Sequence, residues 1–154
     1  MSIFDSLNTS ASSLTAQRLR MDVASSNISN AQTTRATIDE NGEYVPYRRK
    51  MVSLQPNGNK FKTLLQKAKH GVTSGENSTN GVKVSQLLED DTPFKMVYDP
   101  NHPDADEIGM VRYPNVDPLK ENVDMMSATR SYEANVTALN ASKDMLLKAL
   151  EIGQ

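Results

Sequence analysis

The stretch Asp99-Pro100-Asn101-His102-Pro103-Asp104-Ala105-Asp106-Glu107 places four carboxylates and an imidazole close together, the donor types that hold divalent cations. Its spacing points elsewhere. A calcium loop opening at Asp99 needs an oxygen ligand at its fifth position and glycine at its sixth, where this chain has Pro103 and Asp104. The two prolines instead predict a stiff turn in which aspartate side chains cap backbone amides.

Other chemistries are worse supplied. His70 and His102 are the only histidines, and there is no G-x-S-x-G, no phosphate-binding glycine loop and no histidine pair at helical ligand spacing. Cysteine is absent, which removes disulfides, thiolate zinc sites and a cysteine nucleophile. The sequence therefore predicts a protein that is not an enzyme, with no catalytic residue, no metal and no cofactor.

Charge is nearly balanced but segregated. Lys and Arg number 17 against 19 Asp and Glu, a formal net charge of −2, which excludes a globally basic nucleic-acid coat. From Arg48 to Lys69 there are seven basic residues and no acid, whereas Glu89 to Glu107 holds seven acids against Lys95 alone. The basic block contains one aromatic, Phe61, so stacking on bases is poorly supported. The acidic block is the simpler counter-charge, within the chain or on a neighbouring copy, and no nucleic-acid partner is expected.

The elements that must carry these residues follow from the helix breakers. All seven prolines and six of the seven glycines lie between residues 42 and 118 of the 154, leaving only Gly153 outside. The order is helix-compatible, irregular, helix-compatible, an α+β chain. Two long terminal helices form a coiled-coil-like inner region, and a small β-rich middle region consists of hairpins and long loops. The predicted division is 1–31, 32–118 and 119–154, the terminal segments serving assembly.

In the first segment Leu7, Leu14, Met21 and Ile28 recur every seven residues, and in the last Met125, Tyr132, Leu139 and Leu146 do the same. These eight are the candidate partner-packing residues. Serine and threonine crowd the first helix and lower its intrinsic propensity, so it needs a partner to be stable. Pro118 suits a helix start, and Gly153 lies just past the expected helix end. Between the helices, 47–54, 82–87 and 94–98 read as strands, Asp90 to Pro93 as the connection between the last two, and 71–81 as a loop.

The apolar fraction is 37%, against roughly 45–50% in ordinary domains on a slightly different count, so a large private core is not expected. No apolar run approaches the ~20 residues of a membrane span, which predicts no direct membrane insertion. The first residues lack the features of a cleaved signal peptide, so any export is expected by another route.

Two motifs resemble one family. Asn27-Ile28-Ser29-Asn30-Ala31-Gln32-Thr33-Thr34-Arg35 resembles the asparagine-rich motif that ends the N-terminal helix of bacterial flagellar axial proteins, the rod, hook and hook-associated subunits. Glu121 to Asn135, ENVDMMSATRSYEAN, resembles that family's C-terminal helix motif. Thr33-Thr34-Arg35, Pro46 to Lys50, and the run Phe94 to Val116 are most similar to the proximal rod subtype. Ser29 stands where alanine is usual, and Arg35-Ala36 replaces the Gly-Tyr of the wider axial pattern.

The resemblance implies a structural subunit of the basal-body rod, polymerising head-to-tail through its terminal helices to carry motor torque to the hook. The implied partners are other rod proteins, further copies of itself and the flagellar type III export apparatus, with export from the cytoplasm. It marks Asn27, Asn30, Thr33, Thr34, Arg35, Arg130, Tyr132 and Asn135 as motif residues. The competing readings are a hook or distal-rod protein and a non-enzymatic secreted helical adaptor.

Overall fold

A computed structural model describes residues 3–40, 42–57 and 81–152 of the chain. Helix α1 spans Ile3–Ser29 and helix α2 spans Pro118–Ile152, about 40 and 52 Å at 1.5 Å per residue. Among the described residues, six strands lie between them: β1 (Thr37–Ile38), β2 (Tyr44–Val45), β3 (Lys50–Pro56), β4 (Val82–Glu89), β5 (Lys95–Tyr98) and β6 (Met110–Tyr113). The architecture is α+β, as the distribution of breakers predicts.

Among the described residues the strands pair as two-stranded ribbons, β1 with β2, β3 with β4 and β5 with β6. The expected connection at Asp90 to Pro93 does link β4 to β5, yet the two strands belong to different ribbons. In β5–β6 the register is antiparallel, with Lys95 opposite Tyr113 and Tyr98 opposite Met110. Bonds from Asn57 N to Gly81 O at 2.8 Å and from Asp90 N to Arg49 O at 2.8 Å bracket the β3–β4 ribbon. The strand expected over 47–54 begins at Lys50, as β3, because Tyr47 N donates to the Thr33 carbonyl and Arg49 N to Asn115 Oδ1 rather than to a neighbouring strand. Most of the 71–81 loop and the basic residues Lys60, Lys62, Lys67 and Lys69 lie outside the described residues.

The chain divides into two compact units, and both helices contribute to each. The first takes its described residues from Met1–Arg18, Ser53–Gln86 and Arg130–Gln154, and the second comprises Leu19–Val52 and Leu87–Thr129.

In the first unit a strand end approaches the helix backbone closely. Gly81 has φ +79°, and a Cβ placed there would stand 2.0 Å from Ser12 Oγ and 3.3 Å from Thr9 Cα. Ser12 Oγ donates to the Thr9 carbonyl at 2.8 Å and accepts from Val82 N at 3.1 Å. Only glycine gives both that backbone angle and that closeness.

In the second unit the two helical segments run antiparallel, since Asn27 meets Glu121 and Met21 meets Thr129. Val111, Pro114, Val116 and Ala128 are buried here with Ala24 and Asn27. Helix α2 starts on an aspartate cap: Asp117 Oδ1 accepts from Leu119 N at 3.1 Å, with Pro118 in the first helical position.

Candidate functional site

Asn27, near the end of α1, is fully buried, and its amide uses all four of its hydrogen-bonding positions. Its Nδ2 donates to the Lys50 carbonyl at 2.9 Å and to Glu121 Oε2 at 2.9 Å. Its Oδ1 accepts from Lys50 N at 3.0 Å and from the Tyr47 hydroxyl at 3.0 Å. Toward Lys50 the side chain thus behaves as a strand neighbour would, meeting both the N–H and the C=O of one residue.

Glu121 is 2% exposed, and a buried carboxylate is costly unless it is paired. Arg49 supplies the pairing, with Nε 2.6 Å from Glu121 Oε1. The guanidinium also faces Asp90 at 3.5 Å and Asp124 at 3.7 Å. Burial works to lower the Arg49 pKa, but the hydrogen bond and charge of Glu121, followed by those of Asp90, outweigh it and raise the value.

The backbone of Arg49 is fixed as well, its N–H donating to Asn115 Oδ1 at 2.8 Å. Asn115 Nδ2 in turn reaches the Asp90 carbonyl and the Thr92 carbonyl and hydroxyl. A single polar network therefore ties α1, the segment before β3, the β4–β5 connection and the first turns of α2. Among the described residues no buried side-chain polar atom lacks a hydrogen-bond partner.

A second cluster lies at the end of the N-terminal motif. Thr34 Oγ1 donates to Asp104 Oδ2 at 2.8 Å, and Arg35 Nε donates to Asp104 Oδ1 at 2.6 Å. The hydrogen bond from Arg35, then that from Thr34, holds the Asp104 carboxyl below its ordinary pKa. In the 99–107 turn, Asp99 Oδ1 accepts from Asn101 N at 3.2 Å and His102 Nδ1 accepts from Asp104 N at 3.1 Å. These groups cap the turn. Among the described residues no group of three or more His, Cys, Asp or Glu is placed to hold a metal ion.

The motif residues are thus divided. Asn27, Asn30, Thr33, Thr34 and Arg35 belong to the second unit, where Asn30 Nδ2 donates to Ser26 O and Thr33 O accepts from Tyr47 N. Arg130, Tyr132 and Asn135 fall in the other unit, where Asn135 donates to the Ser131 carbonyl of its own helix. The leading members of the network beside Asn27, namely Tyr47, Arg49, Asn115 and Glu121, are not singled out by spacing. A carboxylate in the first turns of a helix reads as a dipole partner, and only burial reveals Glu121 as something else.

The candidate packing residues are all half-buried within the chain: Leu7, Leu14, Met21, Ile28, Met125, Tyr132, Leu139 and Leu146. The deepest positions of the helices are small or polar, namely Ala16, Ala24, Asn27, Glu121, Ala128 and Ser142. On α2, Glu121, Ala128, Asn135 and Ser142 also recur every seven residues, about 40° round the helix from the Met125 column. Larger side chains stand further out, with Leu119 74%, Val123 59% and Met126 54% exposed at i, i+4 and i+7 on α2. The segregated charges meet partly within the chain, through Arg49 with Asp90 and Arg48 with Asp91 at 3.7 Å.

Small residues inside, a polar network where the two helical segments of the second unit meet and large apolar residues outside describe a structural subunit of helical type. Two family models match the chain: "Flagella basal body rod protein" over residues 7–37 and "Flagellar basal body rod FlgEFG protein C-terminal" over residues 108–152. The flagellar basal-body rod protein FlgC of Bacillus subtilis (strain 168) is 63% identical over the whole of both chains. Those of Borreliella burgdorferi and Escherichia coli O6:H1 are each 41% identical, covering 100% of this chain and 99% and 100% of theirs. The chain belongs to the FlgC family of flagellar basal-body rod proteins.

Proposed function

We propose that the chain is a structural subunit of the basal-body rod that joins its neighbours head-to-tail through the outward faces of its terminal helices and carries motor torque toward the hook. The observation that carries this reading is the apolar stripe Leu119, Val123 and Met126, left in water on a helix whose inner side is already packed. A contact between unlike faces whose rotation does not close a ring propagates as a helical stack. The neighbours are other rod proteins and further copies of the chain.

The remaining features suit this role. No described helix is long and apolar enough to cross a membrane. Delivery to the rod is proposed to pass through the flagellar export apparatus without a cleaved signal, with helix ends that gain their full packing only on assembly. In the second unit, the recess of about 220 Å³ beside Arg49 is lined by Arg20 and Lys50 on one hand and Glu121 and Asp124 on the other. Opposed charges neutralise one another there, which favours a lock over a substrate site.

The test is Val123→Asp in a cell whose only copy of this subunit is the variant. The expected result is normal helical circular dichroism of the purified chain, no rods in isolated basal bodies and no swimming. Normal rods would remove the helix face from the assembly.

A further inference from the structure

Sulfur in this chain is entirely thioether, eight methionines and no cysteine, so any sulfur oxidation falls on methionine. Adjacent methionines on α2 differ in accessibility. Met125 is half-buried, whereas Met126 is 54% exposed and completes the stripe begun by Leu119 and Val123. Met21, on the facing segment of α1 in the same unit, is half-buried and its sulfur accepts a hydrogen bond from Thr129 Oγ1 at 3.3 Å. Among these three only Met126 offers a thioether both to solvent and to an approaching neighbour.

We infer that Met126 is an oxidation site whose conversion to the sulfoxide by a peroxide blocks incorporation of the subunit, and that reduction of the sulfoxide restores it. This rests on the α2 face being an assembly surface. A sulfur lone pair attacks one oxygen of hydrogen peroxide and the O–O bond breaks. The departing hydroxide takes the proton from the transferred oxygen, leaving the sulfoxide and water. Sulfur loses two electrons and the peroxide gains them. The product places a strongly polar S–O group at the edge of an apolar contact, where burial would cost it its hydration.

Position decides the effect. Met96 on β5 and Met145 near the end of α2 are 49% and 60% exposed and should oxidise readily as well. Met96 lies off the helices and outside the Leu119, Val123, Met126 stripe. Oxidation of Met96 is expected to leave assembly intact.

The purified full-length chain is exposed to hydrogen peroxide and sulfoxide formation is followed by peptide mass spectrometry, while cells expressing Met126→Gln, Met126→Leu or Met126→Asp are scored for rods. The Gln side chain imitates the polarity of the sulfoxide. Met126 is expected to oxidise several-fold faster than Met125 and Met21, with Met126→Gln losing rods and Met126→Leu keeping them. Reaction of Met126 no faster than Met125, normal rods in Met126→Gln, or loss of helical circular dichroism in that variant would each overturn the inference. If Met126→Gln assembles while Met126→Asp does not, the oxidation site fails and the assembly face stands; if both assemble normally, the face at Met126 fails with it.

Discussion

Asn27 shows how much one side chain can fix when it is buried with all four hydrogen-bonding positions filled. Replacing it by alanine leaves the Lys50 N–H and C=O without that partner and removes a donor from Glu121, and such orphaned groups cost about 1–3 kcal/mol each before relaxation. Asn27→Ala is therefore expected to lower the unfolding free energy of the chain by about 2–3 kcal/mol in urea, within the usual upper range for a single substitution. Asn27→Asp is expected to do at least as much harm, because it sets a second carboxylate against Glu121.

Asp104 behaves differently, being tied down at the surface. Its folded pKa is depressed by Arg35 and Thr34, so its contribution is present above the unfolded value of about 3.9 and is lost as pH falls through the folded value. The stability difference between the parent and Asp104→Asn should be full near neutral pH and shrink as the pH drops below about 4, measured by denaturant unfolding at each pH. A difference that persisted unchanged in acid would show that the charge of Asp104 is irrelevant.

Among the elements, the β3–β4 ribbon and the helices differ in how they are held. The ribbon reaches α1 through backbone, with Gly81 against Ser12 and Thr9. Gly81→Ala forces a methyl group into that contact at a backbone angle alanine avoids, and about 1–3 kcal/mol of destabilisation is expected. In a double-mutant cycle with Ser12→Gly, where the cost of that change alone in helix propensity and in the lost Val82 N bond is subtracted, the coupling reports the steric part and the remainder the conformational part.

The helices were legible in the sequence as elements but not in their inner lining. Breaker-free ends and seven-residue spacing predict where α1 and α2 run, because periodicity reports the repeat of a face. Which face lies deepest is set by tertiary packing, and here the buried positions include Ala16, Ala24 and Ala128, residues too small to mark a seam in the sequence. The polar network was less legible still. Arg49 sits in a basic run and Glu121 in a dipole-favoured turn, and their pairing joins positions 72 residues apart that no local pattern links.

At the scale of the whole molecule, burial among the described residues is concentrated in the second unit, and assembly should add to that of the first. Most of the buried described residues, including Ala24, Asn27, Tyr47, Val111, Val116, Glu121 and Ala128, belong to the second unit, whereas Ala16 and Ser142 belong to the first. Opening free energies follow buried contacts and protected hydrogen bonds. In the purified chain, hydrogen exchange is therefore expected to be slowest within helical residues 19–29 and 118–129 and faster in the described helical parts of 3–18 and 130–152. On incorporation into rods the faster segments should become protected.

Leu14 and Leu139, half-buried in the chain alone, provide the matching substitution test. Leu→Ala at a site buried in full costs about 2–5 kcal/mol, so each change should cost distinctly less in the isolated chain and reach that range only in the assembled state. An equal loss in both states would mean that the helix ends complete their packing within one subunit. The low apolar fraction of the chain would then reflect a small self-sufficient fold, and not a core shared among neighbours.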